Sequence, residues 1–279
     1  MRTLTVPNYR EQMELWTPAD AARHIAVPSE ADDKYSRGVL GVITGSDEYP
    51  GAAVIGVEAA LRTGLGMVRY AGVRRAADLV IARRPEVVLG IGRVNAWLIG
   101  SGTTADGYQS ADAETAIAQA APAVIDAGAI ELVSRHTGPV VITPHYRELA
   151  RLLGAHSDEV AAAPAEWARR AADELGVTVL LKGHSTYVAG PGITLVARSA
   201  PTWLATAGAG DALAGILGAL VATHASEIAN DGRMLARLAA TASVIHGLAA
   251  DRARAGGPLT IMDVAAAVSP TIAELLATR

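Results

Sequence analysis

From Val39 to Leu181 short, unbroken apolar runs alternate with stretches of helical periodicity, and nothing else in this chain limits its architecture so sharply. A strand buried on both faces reads as a continuous apolar run, and strands that alternate with helices build a mostly parallel sheet covered by helices on both sides. The runs 39–43, 67–71, 87–91, 97–99, 123–126, 140–143 and 177–181 supply the strands. Between them, Val54, Val57 and Leu61 fall at helical spacing over 52–63, and 111–121, 129–136, 148–153 and 165–175 give further helices.

Beyond Lys182 the pattern changes. Residues 186–188 and 193–197 read as an antiparallel hairpin around Gly190-Pro191-Gly192, and helices over 211–224, 232–253 and 261–277 close the chain. The first 38 residues are polar and punctuated by proline, with a short helix at 17–24 opened by Thr17-Pro18. No repeat or long linker interrupts the chain. The expectation is a lead-in segment over 1–33 and one three-layer α/β/α domain over 34–279.

At 279 residues, 51% of them hydrophobic, the chain can bury a full core. The formal charge is only −4 and Lys and Arg are scattered, so neither a nucleic-acid stripe nor a polybasic membrane patch forms. The expected partner is a small molecule, with no nucleic acid and no membrane. Cysteine is absent, which excludes disulfides, thiolate zinc sites and cysteine nucleophiles and suits a reducing compartment. The stretch MRTLTVPNYREQMEL carries early charges and lacks an apolar signal region, and no run approaches the roughly 20 apolar residues of a membrane span. A cytoplasmic location is expected.

The chemistry concentrates in Ala205-Thr206-Ala207-Gly208-Ala209-Gly210-Asp211. Behind it Leu213, Ile216, Leu217, Leu220 and Val221 keep the spacing of a buried helix face, so the glycines stand at a helix N-terminus. The unpaired N–H groups of Gly208, Ala209 and Gly210 form an anion hole there, and Asp211 is the candidate catalytic base for a substrate hydroxyl. Asp211 as a mere helix cap is the competing reading.

Other motifs keep it company. In order they are Gly45-Ser46, Tyr49-Pro50-Gly51-Ala52-Ala53, Leu61-Arg62-Thr63-Gly64-Leu65-Gly66, Ile99-Gly100-Ser101-Gly102, Val124-Ile125-Asp126-Ala127-Gly128, Ile142-Thr143-Pro144-His145 with Glu148, and Leu181-Lys182-Gly183-His184-Ser185-Thr186. Lys182 at the end of a strand is either a point charge for a phosphate or a solvated hairpin lysine. His145 is either a hydrogen-bonding partner for a nicotinamide amide or ribose or an ordinary loop histidine. Asp126 either helps hold magnesium through water or caps the next helix, the cap being the simpler role.

Taken together, from Lys34 to the C-terminus, these motifs resemble the ADP-dependent NAD(P)H-hydrate dehydratase family, which has the ribokinase-like fold. The resemblance implies dehydration of the S-form of hydrated NADH or NADPH. The ring hydroxyl is phosphorylated and phosphate is then eliminated, with release of AMP and phosphate. ADP, or ATP, is the implied co-substrate, Mg2+ the implied cofactor, and a homo-oligomer, often a tetramer, the implied assembly. Ala53, Gly100, His145 and Asp211 match the hydrate pocket. Lys182, Gly183, His184, Ser185 and Thr186 match the loop for the adenine nucleotide, and Gly210 the glycine beside its phosphates. No metal ligands are assigned.

Three departures stand out. Tyr146-Arg147-Glu148 replaces the family's Pro-Gly-Glu, residues 199–203 replace an Asn-x-Thr-Gly-Asn run, and Ala209 stands where a Thr or Ser hydroxyl is usual. The family is often fused behind an epimerase domain; with about 35 residues before the match, this chain is expected to carry the dehydration half alone. A small-molecule kinase of the same fold and a nucleotide-binding sensor without catalysis are the rival readings.

Overall fold

The computed structural model describes residues 13–103, 111–198 and 200–279; residues 1–12 of the lead-in and Ser199 of the 199–203 run lie outside them. Ten strands form one sheet: β1 (Met13–Leu15), β2 (Val39–Ile43), β3 (Met67–Tyr70), β4 (Val88–Leu89), β5 (Ala96–Ile99), β6 (Ala123–Ile125), β7 (Val140–Ile142), β8 (Thr178–Leu181), β9 (Thr186–Gly190) and β10 (Ile193–Ala197). Their order is β1-β10-β9-β8-β7-β6-β5-β2-β3-β4. Every neighbouring pair is parallel except those that β9 makes with β8 and β10.

The helices are α1 (Pro18–Ala22), α2 (Pro50–Thr63), α3 (Arg74–Arg83), α4 (Ala111–Ala118), α5 (Tyr146–Leu153), α6 (Ser157–Ala162), α7 (Pro164–Leu175), α8 (Ala209–Thr223), α9 (Ala225–Ile228), α10 (Met234–Arg254) and α11 (Ile261–Ala277), with 3-10 turns at Ala127–Arg135 and Thr202–Leu204. Successive strand residues face opposite sides of a sheet. Leu98, Val124 and Leu180 therefore join one core with α2, α8, α10 and α11, while Trp97, Ile99, Ile125 and Leu181 join a second with α4, α5 and α7. This is the expected three-layer arrangement.

Residues 13–22 are built into the same body. β1 runs parallel to β10, the buried Trp16 donates from Nε1 to Thr241 Oγ1 at 3.1 Å, and Thr17 and Asp20 form a capping box at the start of α1. The sequence reading differs from the structure at three further points. The strand expected over 87–91 shrinks to two residues at the sheet edge, where Val88 and Leu89 are exposed. The helix expected over 129–136 is the 3-10 run Ala127–Arg135. Helix α3 was not anticipated.

One close contact positions the site. A Cβ on Gly215 of α8 would lie 2.2 Å from the carbonyl oxygen of Gly56 in α2, so the two helices cross backbone to backbone. That crossing fixes the N-terminus of α8 above the sheet.

Candidate active site

Strands β2, β5, β6, β7 and β8 run in the same direction and deliver their carboxyl ends to one edge of the sheet, the edge where open α/β folds hold ligands. The loops after β2 and β5 are tied there by Gly45 N to Ser101 O at 2.7 Å and Gly100 N to Ile43 O at 3.1 Å.

Asp126, buried at the end of β6, is the hub. Its Oδ2 accepts from Ser101 Oγ at 2.8 Å, and its Oδ1 accepts from Thr143 Oγ1 at 2.5 Å and from Lys182 Nζ at 2.9 Å. The carboxylate makes no cap bond to the following 3-10 run, so the helix-cap expectation is corrected: a half-buried lysine and two hydroxyls claim both oxygens. Burial opposes the charge on Asp126, but Lys182, Thr143 and Ser101 hold its pKa below the usual carboxylate range. Burial likewise works against the charge on Lys182, and Asp126 beside it, with Glu148 and Asp211 farther off, keeps its pKa above the ordinary lysine value. The solvated-lysine reading therefore falls, the side chain being 20% exposed and ion-paired.

Helix α8 starts at Gly208, whose φ of 87° is open to glycine and whose Cβ, if present, would meet Ile55 Cδ1 at 2.8 Å. Gly210 is different. A Cβ there would meet only Lys182 Nζ, at 3.5 Å, so the missing side chain leaves room beside an ammonium group at a helix N-terminus. Asp211 follows in the first turn. Burial pushes its carboxyl up, the negative Asp126 adds to that, and Lys182 opposes; the result is about 6. A pKa near 6 suits a general base at neutral pH.

A cavity of about 680 Å3 opens beside this cluster. It is lined by His145, Lys182, Gly183, His184 and Thr186, by Ala209 and Gly210, by residues 200–202 and 204–207, and by Leu213, Ser243 and His246. The structure thus gathers most of the expected nucleotide residues around one space, with His145 at its rim; Ser185 is not among the lining residues. Ala53, fully buried in the first turn of α2, packs where a Cβ on Gly45 would stand, and Gly100, after β5, lies against the Asp126 carbonyl; neither they nor Asp211 are among the residues that line the cavity.

His145 also caps α5: its Nδ1 accepts from Arg147 N and Glu148 N, and Glu148 Oε2 accepts from His145 N at 2.8 Å. This capping box keeps the turn at the departure Tyr146-Arg147-Glu148 closed. The Tyr146 hydroxyl lies against the nucleotide loop, where a Cβ on Gly183 would approach it to 2.8 Å. Sequence reasoning missed Ser243 and His246, which sit inside a helix with no motif around them.

The chain is similar to known proteins. A family model described as NAD(P)H-hydrate dehydratase matches residues 40–268. The chain is 42% identical over 219 residues to the bifunctional NAD(P)H-hydrate repair enzyme of Mycobacterium tuberculosis, a match covering 73% of this chain and 45% of that protein. The chain therefore spans about half the length of such bifunctional relatives. It is 34% identical over 228 residues to the ADP-dependent (S)-NAD(P)H-hydrate dehydratase of Xanthomonas campestris pv. campestris, covering 73% of this chain and 79% of that one. The crystal structure of the ADP/ATP-dependent NAD(P)H-hydrate dehydratase from Bacillus subtilis, co-crystallised with ATP/Mg2+, superposes with a TM-score of 0.84 at 23% identity, over 95% of this chain and 99% of that chain. The shared fold is ribokinase-like.

Proposed function

The chain belongs to the NAD(P)H-hydrate dehydratase family, and from that premise we propose that it carries out the ADP-dependent dehydration of the S-form of hydrated NADH and NADPH, releasing AMP and phosphate. One observation carries the reading: a carboxyl with its pKa raised to about 6, Asp211, follows a side-chain-free position, Gly210, over which the Asp126-anchored Lys182 ammonium is held.

In this reading the phosphates of ADP take the N–H groups of Gly208, Ala209 and Gly210 and the charge of Lys182, with Gly183, His184, Ser185 and Thr186 completing the nucleotide loop. The hydrate ring lies toward Ala53, Gly100 and His145. Asp211 takes the proton of the ring hydroxyl as its oxygen accepts the terminal phosphoryl group, and AMP departs. The ring C–O bond then breaks with its electron pair leaving on phosphate. Loss of a proton from the neighbouring ring carbon forms the double bond of the reduced nicotinamide.

Among the described residues no three His, Asp or Glu side chains gather to hold a metal, and the Asp126 oxygens are already taken by protein donors. The residues would suit a magnesium ion brought in with the nucleotide, with Asp211 the carboxylate that would help hold it, and not one held in a protein cage. When bound, it supplies charge neutralisation on the phosphate oxygens.

The proposal extends to a cytoplasmic homo-oligomer, a tetramer on the resemblance, and the exposed Leu15 and Leu89 on the two edge strands support self-association. No helix among the described residues is long and apolar enough to cross a membrane. The test is absorbance at 340 nm after the protein is added to NADH hydrate with ADP and Mg2+, each omitted in turn. The expected result is an ADP-dependent rise with an equal amount of phosphate. No rise with ADP or ATP, in a preparation that binds nucleotide, overturns the proposal in favour of the kinase or sensor.

A further inference from the structure

We propose that His246, in the middle of α10, reads the base of the nucleotide. This rests on the nucleotide reading above and deepens it by assigning the far end of the cavity. His246 lines that cavity, is only 7% exposed, and has a buried Nε2 with no hydrogen-bond partner among the described residues. A buried polar atom left unpartnered is costly, so its retention calls for a partner that the polypeptide itself does not supply.

The walls of the cavity say what that partner is. One end carries the ammonium of Lys182 and the open position at Gly210. One turn further along α8 the wall becomes Leu213, and across from it the 3-10 turn Thr202–Leu204, which packs on α10, contributes Leu204. A ligand that fills both ends is anionic at one and flat, apolar-faced and hydrogen-bonding at its edge at the other, which describes a nucleoside diphosphate. Burial alone acts on His246 and no charged side chain does, which sets it away from the Lys182 ammonium and on the side of the base, not of the phosphates. Burial lowers the His246 pKa to about 4, so the ring is neutral at working pH and offers one donor and one acceptor without a charge. A neutral imidazole suits the edge of a heterocycle. It adds little to phosphate binding, which remains with Lys182 and the helix N-terminus.

The test measures dissociation constants by calorimetry for ADP, UDP and inorganic pyrophosphate, in Mg2+, with the parent, His246→Leu and His246→Gln. Leucine keeps the bulk and removes the hydrogen bond; glutamine keeps an amide that can make one. The expected result is ADP binding weakened about tenfold in His246→Leu, about 1.4 kcal/mol, and largely restored in His246→Gln. The preference for ADP over UDP narrows in the leucine variant, and pyrophosphate binds all three proteins alike. The ligand-free leucine variant melts no lower than the parent, because the unpartnered nitrogen has gone.

Unchanged ADP binding in His246→Leu overturns the inference. So does an equal loss for ADP and pyrophosphate, or a leucine variant that fails to fold, since either marks a structural histidine. A parent that binds pyrophosphate but no nucleotide removes the reading of the site together with this inference. A parent that binds ADP with the expected pattern yet fails the 340 nm assay removes only the proposed reaction.

Discussion

Replacing Asp211 with asparagine is expected to make the protein more stable and catalytically inert at once. In the folded chain the Asp211 carboxyl is pushed up to about 6 from an ordinary aspartate value of about 3.8, chiefly through burial and secondarily through the charge of Asp126. A carboxyl whose pKa is raised on folding binds its proton more tightly in the native state, so its ionisation opposes folding. The penalty grows as pH rises from about 3.8 through about 6 and is level above that. Two units correspond to at most about 3 kcal/mol at pH 7, and about half of that at pH 5. No hydrogen bond to the Asp211 carboxylate contributes to its shift, so asparagine loses no bond that offsets the gain. For 279 residues the gain translates to roughly 5 °C in Tm. The assay is a pair of thermal melts for parent and Asp211→Asn at pH 7 and pH 5, with turnover and ADP binding measured on the same preparations. Turnover is expected to be nearly abolished while ADP binding is retained. A variant no more stable than the parent at pH 7, or a gain that does not shrink at pH 5, refutes the electrostatic argument. Turnover like the parent's refutes Asp211 as the base.

Two glycines only two positions apart, Gly208 and Gly210, give a paired test. Gly208→Ala forces a side chain into a left-handed conformation against Ile55 and should cost about 1–3 kcal/mol in a denaturant melt. Gly210→Ala meets only Lys182 Nζ, so its melt should match the parent while ADP binding, followed by calorimetry, collapses. Lys182→Ala strips the buried Asp126 of its counter-ion and should destabilise by about 3–5 kcal/mol. Adding Asp126→Asn should recover part of that loss, and strictly additive effects in the double-mutant cycle would show that the two side chains do not interact in solution.

The layered fold was legible because strands buried on both faces have to be apolar throughout, and β2, β5 and β8 announce themselves that way. Helix α3 was not, since Arg74-Arg75 and Arg83-Arg84 bracket a short apolar stretch and its one face against the core rests on Ala76, Ala77 and Val80. β1 exposes all three of its residues and is a strand only because β10 offers an edge, a fact that lives 180 residues away. The Gly208–Asp211 turn could be read from local spacing, as helix N-termini can. What Asp126 does could not be read. Its partners Ser101, Thr143 and Lys182 come from three other strand ends, and only the sheet order brings them together. His246 left no local trace because one polar residue on a long alanine-rich helix looks the same whether or not it borders a cavity.

The Asp126 cluster also makes completion of the candidate site a late event in the life of the chain. Its four members arrive from β5, β6, β7 and β8, and the cation among them is the last to be reached along the sequence, 56 residues after the carboxylate it neutralises. Until β8 docks, Asp126 lacks its counter-ion and keeps its water. Stripping that water becomes favourable only when Lys182 is delivered with its strand. Closure of the sheet and assembly of the buried charge pair are therefore one event.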